Sequence, residues 1–183
     1  GIARDAGVAR MTVDGYLGIL EDTLLVHRLP GYEAKLRVRE RKHPKLYWAD
    51  PGLVRAVKRQ LGPVSAEEKG PLLEGFVLHL LRAHGEEQAL FDDLTYWAPV
   101  QAMRTEVDFL LRRGREFAAI EVKASNRFEG SMAQGLRAIS ELRGVVRRIL
   151  VYAGERSLRV DEDIEVWPLR RFSEALALGR LWP

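Results

Sequence analysis

The sequence predicts an α/β fold. Three observations carry that expectation: an amphipathic helical run from about Pro71, three closely spaced strand-like runs between residues 94 and 123, and a further alternation of helix and strand to about residue 178. A differently patterned stretch lies ahead of this region, and Gly62-Pro63-Val64-Ser65 reads as the linker between the two. The expected division is therefore residues 1–62 and residues 63–183.

Taken in order, residues 1–20 form two helix-like stretches around a turn at Gly7, the pattern of a helix-turn-helix. Val8, Val13, Leu17 and Leu20 recur at helical spacing and should face a small core. A stable three-helix unit needs one more helix upstream, so the chain is expected to be the C-terminal part of something longer. Leu24–Leu29 is apolar and strand-like. Pro30-Gly31 turns, a basic stretch follows, and Lys45–Trp48 returns as a second strand. This is the layout of a wing, and it makes the first region a winged-helix-like unit whose first helix is missing. Asp50-Pro51-Gly52 then starts a short helix that ends near Gln60.

In the second region Leu72, Leu73, Phe76, Val77, Leu80 and Leu81 define the apolar face of a helix with proline in its first turn and Glu74 near its beginning. Leu94–Trp97, Val107–Leu111 and Phe117–Lys123 follow as an antiparallel meander, the last two joined by a turn at residues 112–115. A helix over Ser131–Leu142, strands at Arg148–Tyr152 and Ile164–Trp167, and a closing helix from Leu169 to about Leu178 complete the order.

Composition narrows the function. With 46% hydrophobic residues, the 183-residue chain can bury a core. It has no cysteine, which excludes disulfides and thiolate zinc sites. No apolar run approaches the roughly 20 residues of a membrane helix and no signal-peptide pattern opens the chain, so a cytoplasmic protein without a membrane partner is expected. Residues 1–60 hold 12 Lys and Arg against 7 Asp and Glu, while residues 61–183 hold 17 against 19. An anionic partner is therefore expected at the N-terminal third.

Chemistry concentrates in the meander. Glu121 and Lys123 are two apart on one strand and share a face, with Ile120 and Val122 on the other. Such a pair on its own is ordinary on a half-buried strand. Asp108 interrupts the otherwise apolar run of Val107, Phe109, Leu110 and Leu111 one hairpin earlier, where strand pairing can bring it beside Glu121. Two carboxylates that close repel unless a proton or cation lies between them, and a hard divalent ion is the natural solution. Magnesium, or manganese in its place, needs few protein ligands, so two carboxylates and a backbone carbonyl suffice. Lys123 would then serve the attacking water or the charge that builds on the phosphorus. Glu106 shares a face with Asp108 nearer the strand end and is a supporting candidate.

Glu74 on a helix, Asp108 in Glu106-Val107-Asp108, and Glu121-Val122-Lys123 resemble the PD-(D/E)XK nucleases, over about residues 70–153. Gln134 on the next helix resembles the glutamine of the RecB-like and Holliday-junction-resolving branches. Val107 stands where the family often has proline. The resemblance implies a core of helix, three-strand meander, helix and strand, with Glu74, Asp108, Glu121 and the Val122 carbonyl holding Mg2+ or Mn2+. It implies Glu74, Asp108, Glu121, Lys123 and Gln134 as the catalytic set.

From the helix-turn-helix through Pro44-Lys45-Leu46-Tyr47-Trp48-Ala49-Asp50-Pro51-Gly52-Leu53 to the two acidic motifs, the whole chain resembles the C-terminal region of a family of prokaryotic AAA+ ATPases. That resemblance implies an ATPase module as a partner in the parent protein. No phosphate-binding Gly-x-x-x-x-Gly-Lys-Ser/Thr loop occurs in this chain.

DNA is the expected partner. The second helix offers Arg10, but Asp14, Glu21 and Asp22 oppose phosphate, and Gly15 and Gly18 each weaken the helix by about 1 kcal/mol. The basic stretch suits phosphate better, with Arg37, Arg39 and Arg41 alternating on one face and Lys42 beside them. A solvated hairpin explains the same residues equally well. Two functions stay open: magnesium-dependent DNA cleavage, and a non-catalytic module that binds DNA or docks onto the ATPase. A homo-oligomer is compatible with either.

Overall fold

The computed structural model describes residues 2–34, 40–100, 105–161 and 163–183, apart from the Glu86 side chain. The N-terminal part contains helices α1 (Ile2–Ala6) and α2 (Arg10–Asp22), strands β1 (Val26–Leu29) and β2 (Lys45–Trp48), and helix α3 (Pro51–Val57). Gly7 takes a φ of +67° between α1 and α2, a left-handed turn conformation that glycine adopts without strain. Neither helix buries a residue. Val13, Leu17 and Leu20 are half-covered and Val8 is exposed, so the expected small core does not close among the described residues. Strands β1 and β2 pair antiparallel, with Leu29 opposite Lys45. Asp50 caps α3, accepting from the Gly52 and Leu53 amides at 2.6 and 3.2 Å, with Pro51 just inside.

The remaining elements are α4 (Ala66–Glu87), β3 (Asp93–Trp97), β4 (Val107–Arg113), β5 (Glu116–Lys123), α5 (Gln134–Ala138), β6 (Val145–Tyr152), β7 (Leu158–Val160), β8 (Ile164–Pro168) and α6 (Leu169–Ala177). Six strands form one sheet in the order β3-β4-β5-β6-β8-β7. The β3-β4-β5 meander is antiparallel as expected, whereas β5, β6 and β8 run parallel and β7 returns antiparallel at the edge.

One face of the sheet packs against α4 and α6, through Val77, Leu78 and Leu81 of α4 and Phe172 and Leu176 of α6. Each such side chain contributes about 1.5–3 kcal/mol relative to leaving it in water. The other face packs against α5 and the turns flanking it, through Ala133, Leu136 and Ile139. The chain is thus a mixed α/β protein with helices on both faces of the sheet.

Two sequence expectations are corrected. Helix α4 starts at Ala66, five residues before Pro71, because Ser65 and Glu68 form a reciprocal cap: the Ser65 amide donates to Glu68 Oε2 at 3.0 Å and the Glu68 amide to Ser65 Oγ at 3.3 Å. Glu74 is consequently in the body of the helix. The second correction is at Ser131–Leu142, where 3₁₀ turns at Gly130–Ala133 and Ile139–Glu141 flank the short α5. Ala133, Leu136 and Ile139 are buried three apart, a spacing that suits the three-residue period of the 3₁₀ helix.

The N-terminal hairpin joins this sheet. Leu29 lies in the α4–α6 core, and the Tyr32 ring packs on Phe117 at 5.3 Å. Along the outer edge of β3, Tyr96 N–H donates to the Pro30 carbonyl at 3.0 Å and Tyr32 N–H to the Tyr96 carbonyl at 2.7 Å. Arg41 N–H donates to the Ala98 carbonyl at 2.8 Å, and Trp97 Nε1 donates to Glu40 Oε1 at 2.7 Å. An edge strand that would otherwise present unpaired backbone groups is covered by the hairpin connection.

Candidate active site

Three elements of the sheet region bring carboxylates to one place. Glu74 lies on the stripe of α4 that carries Val77, Leu78 and Leu81, three, four and seven residues further on, so the helix turns it toward the sheet. Asp108, near the start of β4, and Glu121, near the end of β5, are each only 2% exposed and are the buried charged residues of the described chain. Glu106 precedes β4 and is half-buried.

Each oxygen of Asp108 has its own partner: Oδ2 accepts from the Val122 amide at 3.0 Å, and Oδ1 accepts from Lys45 Nζ at 3.1 Å. Lys45 Nζ also lies 3.1 Å from Glu74 Oε1 and 3.5 Å from Glu106 Oε1, with the Tyr96 ring centroid 5.3 Å away. The Lys45 side chain is 23% exposed. Tyr47 is two residues further along β2 and shares its face, and its hydroxyl donates to the same Glu74 Oε1. Lys123 donates to Glu121 Oε1, while Glu121 Oε2 is buried without a hydrogen-bond partner among the described residues.

Burial and crowding set the proton affinities. Desolvation and then the Asp108 charge push the Glu74 carboxyl above its ordinary range, against the pull of Lys45 and Tyr47. Desolvation and then Asp108 also push Glu121 well above that range, with Lys123 opposing. Burial disfavours the Lys45 ammonium, but Asp108, Glu74 and Glu106 outweigh it and hold the proton more tightly than in water. Lys123 is likewise held protonated by Glu121 in spite of burial. Desolvation and then Glu74 raise the Tyr47 hydroxyl, so it stays a donor.

The structure therefore groups Glu74, Asp108, Glu121 and Lys123, with Val122 fixing Asp108 through its amide. Gln134 is exposed in the first turn of α5, outside this group. Its neighbour Gly135 does touch the site's backbone: a Cβ there would fall 1.7 Å from the Glu106 carbonyl oxygen. Of the basic candidates, Arg10 lies 3.7 Å from Asp14 and Lys42 lies 2.8 Å from Glu33, while Arg41 is exposed. Arg37 and Arg39 fall outside the described residues. Sequence reasoning missed Lys45 and Tyr47 as site residues. Their shared strand face was readable, but nothing in the sequence tied it to Glu74.

Among the described residues no three acidic or histidine side chains stand in metal-holding geometry. The Lys45 ammonium occupies the point where Glu74, Asp108 and Glu106 converge.

An uncharacterized protein of Mycobacterium bovis and another of Mycobacterium tuberculosis are each 30% identical to the chain over 173 residues, covering 91% of this chain and 37% of theirs. The chain thus spans little more than a third of the curated relatives it matches. No solved structure matches it. Residues 1–63 match a family described as a domain of unknown function (DUF8612). Residues 69–172, which hold Glu74, Asp108, Glu121 and Lys123, match the family described as Domain of unknown function (DUF4143), and the chain belongs to that family.

Proposed function

We propose that this chain carries a metal-dependent phosphodiesterase site of the PD-(D/E)XK type that acts on DNA, behind a winged-helix-like N-terminal unit. The observation that carries this reading is that Glu74 and Asp108 meet around Lys45 Nζ while Glu121 lies buried within reach of the Asp108 charge, its Oε2 without a hydrogen-bond partner among the described residues. The donors are hard oxygens, which suits Mg2+ or Mn2+. Glu74, Glu106, Asp108 and Glu121 face the ammonium groups of Lys45 and Lys123, so an added cation offsets the burial and the Asp108 repulsion that disfavour the charged forms of Glu74 and Glu121.

Glu74, Asp108, Glu121 and the Val122 carbonyl would hold the ion. When bound, it supplies Lewis-acid activation of a phosphodiester and of the attacking water. The protein's own residues do the rest. The Val122 amide keeps Asp108 in place, Tyr47 orients Glu74, and Lys123 presents a protonated amine two residues from Glu121, able to donate to the water or to an oxygen of the phosphorus. Arg41 and Lys42, together with Arg37 and Arg39, would supply phosphate contacts, and the parent protein would add an AAA+ ATPase module.

A second reading is favoured by Lys45, whose ammonium already neutralises the carboxylates. In it the chain is a non-catalytic module that binds DNA or docks onto the ATPase. Incubating the protein with labelled duplex, flap, branched and single-stranded DNA in Mg2+ tests the first reading, which expects cleavage that EDTA abolishes. Absence of cleavage on every substrate, with no calorimetric heat from millimolar Mn2+, leaves the second reading standing.

A further inference from the structure

The cation among the carboxylates comes from a different part of the chain than the carboxylates themselves. Lys45 belongs to β2, and its hydrogen bonds to Glu74 and Asp108 span 29 and 63 residues of sequence. β2 pairs in a two-stranded sheet with β1 alone, and the Tyr47 ring also packs against Phe109 of β4 at 6.1 Å. Lys45 and Tyr47 project from the same face of β2, and both engage Glu74 Oε1. Glu74 and Asp108 thus help to fasten the strand to the sheet, beside the packing of Tyr47.

These two are also donors of the proposed metal site, and an ammonium and a divalent ion cannot share the oxygens Lys45 engages, Glu74 Oε1 and Asp108 Oδ1. Carboxylate oxygens lie 3.1 Å from Nζ, whereas magnesium draws its oxygens to about 2.0–2.1 Å, so the donors must close in by about 1 Å onto the point Nζ occupies. Two positive centres at that separation also repel. Resting on the metal-site reading above, we infer that Lys45 is a tethered counter-ion that competes with the divalent metal. The Lys45 contacts latch β2 to the site when metal is absent and are given up when metal binds, which loosens the strand while the backbone bonds of Pro30, Tyr32 and Arg41 to the β3 edge keep the hairpin in place. Metal loading at the site and the Lys45 contacts of β2 are then one equilibrium, and by linkage whatever draws the Lys45 ammonium away raises metal affinity.

The test is Mn2+ binding by titration calorimetry to the full chain and to Lys45→Met, with amide hydrogen exchange over residues 45–48 of the unaltered protein with and without Mn2+. The expected results are at least tenfold tighter Mn2+ binding by Lys45→Met and faster exchange at 45–48 in the unaltered protein on saturation with Mn2+. Equal or weaker binding by a folded Lys45→Met overturns the competition while leaving the metal site in place. Unchanged exchange at saturating Mn2+ overturns the latch and needs no variant. If neither protein binds Mn2+, the metal-site reading itself falls, and the inference with it.

Discussion

Asp108 is clamped from two directions, by the Val122 amide on one carboxylate oxygen at 3.0 Å and by the Lys45 ammonium on the other at 3.1 Å. Its charge in turn raises the proton affinity of both Glu74 and Glu121. Asp108→Asn keeps an acceptor for the Val122 amide but removes that charge. In EDTA, the apparent pKa values of Glu74 and Glu121 should both fall in the variant, followed by carboxyl-carbon NMR titration. Unmoved titrations would mean that burial alone sets them.

The same shifts fix the sign of a pH effect. Glu74 and Glu121 hold protons in the folded chain at pH values where the unfolded chain has lost them, so their contribution to stability declines as pH rises from the ordinary glutamate value to their raised folded values. Thermal melts of the metal-free protein across that interval should show a decline that is smaller in Asp108→Asn. An equal decline in both proteins would assign it to other groups.

Lys123 lies beside Glu121 without being one of the proposed metal donors. Lys123→Ala should cut single-turnover cleavage at saturating Mg2+ by a factor on the order of a hundred or more while leaving DNA and Mn2+ affinity within a few fold. A variant that cleaves as fast as its parent removes Lys123 from the mechanism.

Gly135 lets the first turn of α5 approach the Glu106 backbone. Gly135→Ala places a methyl against backbone rather than a pliable side chain, so either α5 or the start of β4 must shift. The expected loss is about 1–3 kcal/mol in a denaturant melt. A variant as stable as the parent would show that α5 moves without strain.

The reciprocal cap that begins α4 is open to a gentler test. Ser65→Ala should lower stability by about 1 kcal/mol, and Ser65→Asp should largely restore it. If Ser65→Ala melts with its parent, α4 is anchored by packing downstream of Pro71.

What could be read from the sequence follows from how local each signal was. Asp108 stood out because a single acid interrupts a run of buried apolar residues, and Glu121 with Lys123 because strand alternation places them together. The start of α4 was legible too, in Ser65-x-x-Glu68, but Gly62-Pro63 and Pro71 on either side suggested a linker and a later start. Strand β7 is three residues long at the sheet edge and leaves no periodic trace. Lys45 was hidden by company: in a basic stretch it reads as one more solvated charge, and only the packing of β2 against α4 turns it inward. Its role depends on contacts across 29 and 63 residues, which no local pattern encodes.

Inheritance and folding divide this chain differently. Two families of sequence meet between residues 63 and 69, yet the outer edge of β3 is closed by backbone bonds to Pro30, Tyr32 and Arg41, and Leu29 sits in the core beneath α4. A fragment beginning after residue 63 would bare a strand edge and a gap in its interior, the two features that drive chains to aggregate. The N-terminal region is therefore part of the cooperative unit that gives the carboxylate cluster its shape, and the two regions should melt together.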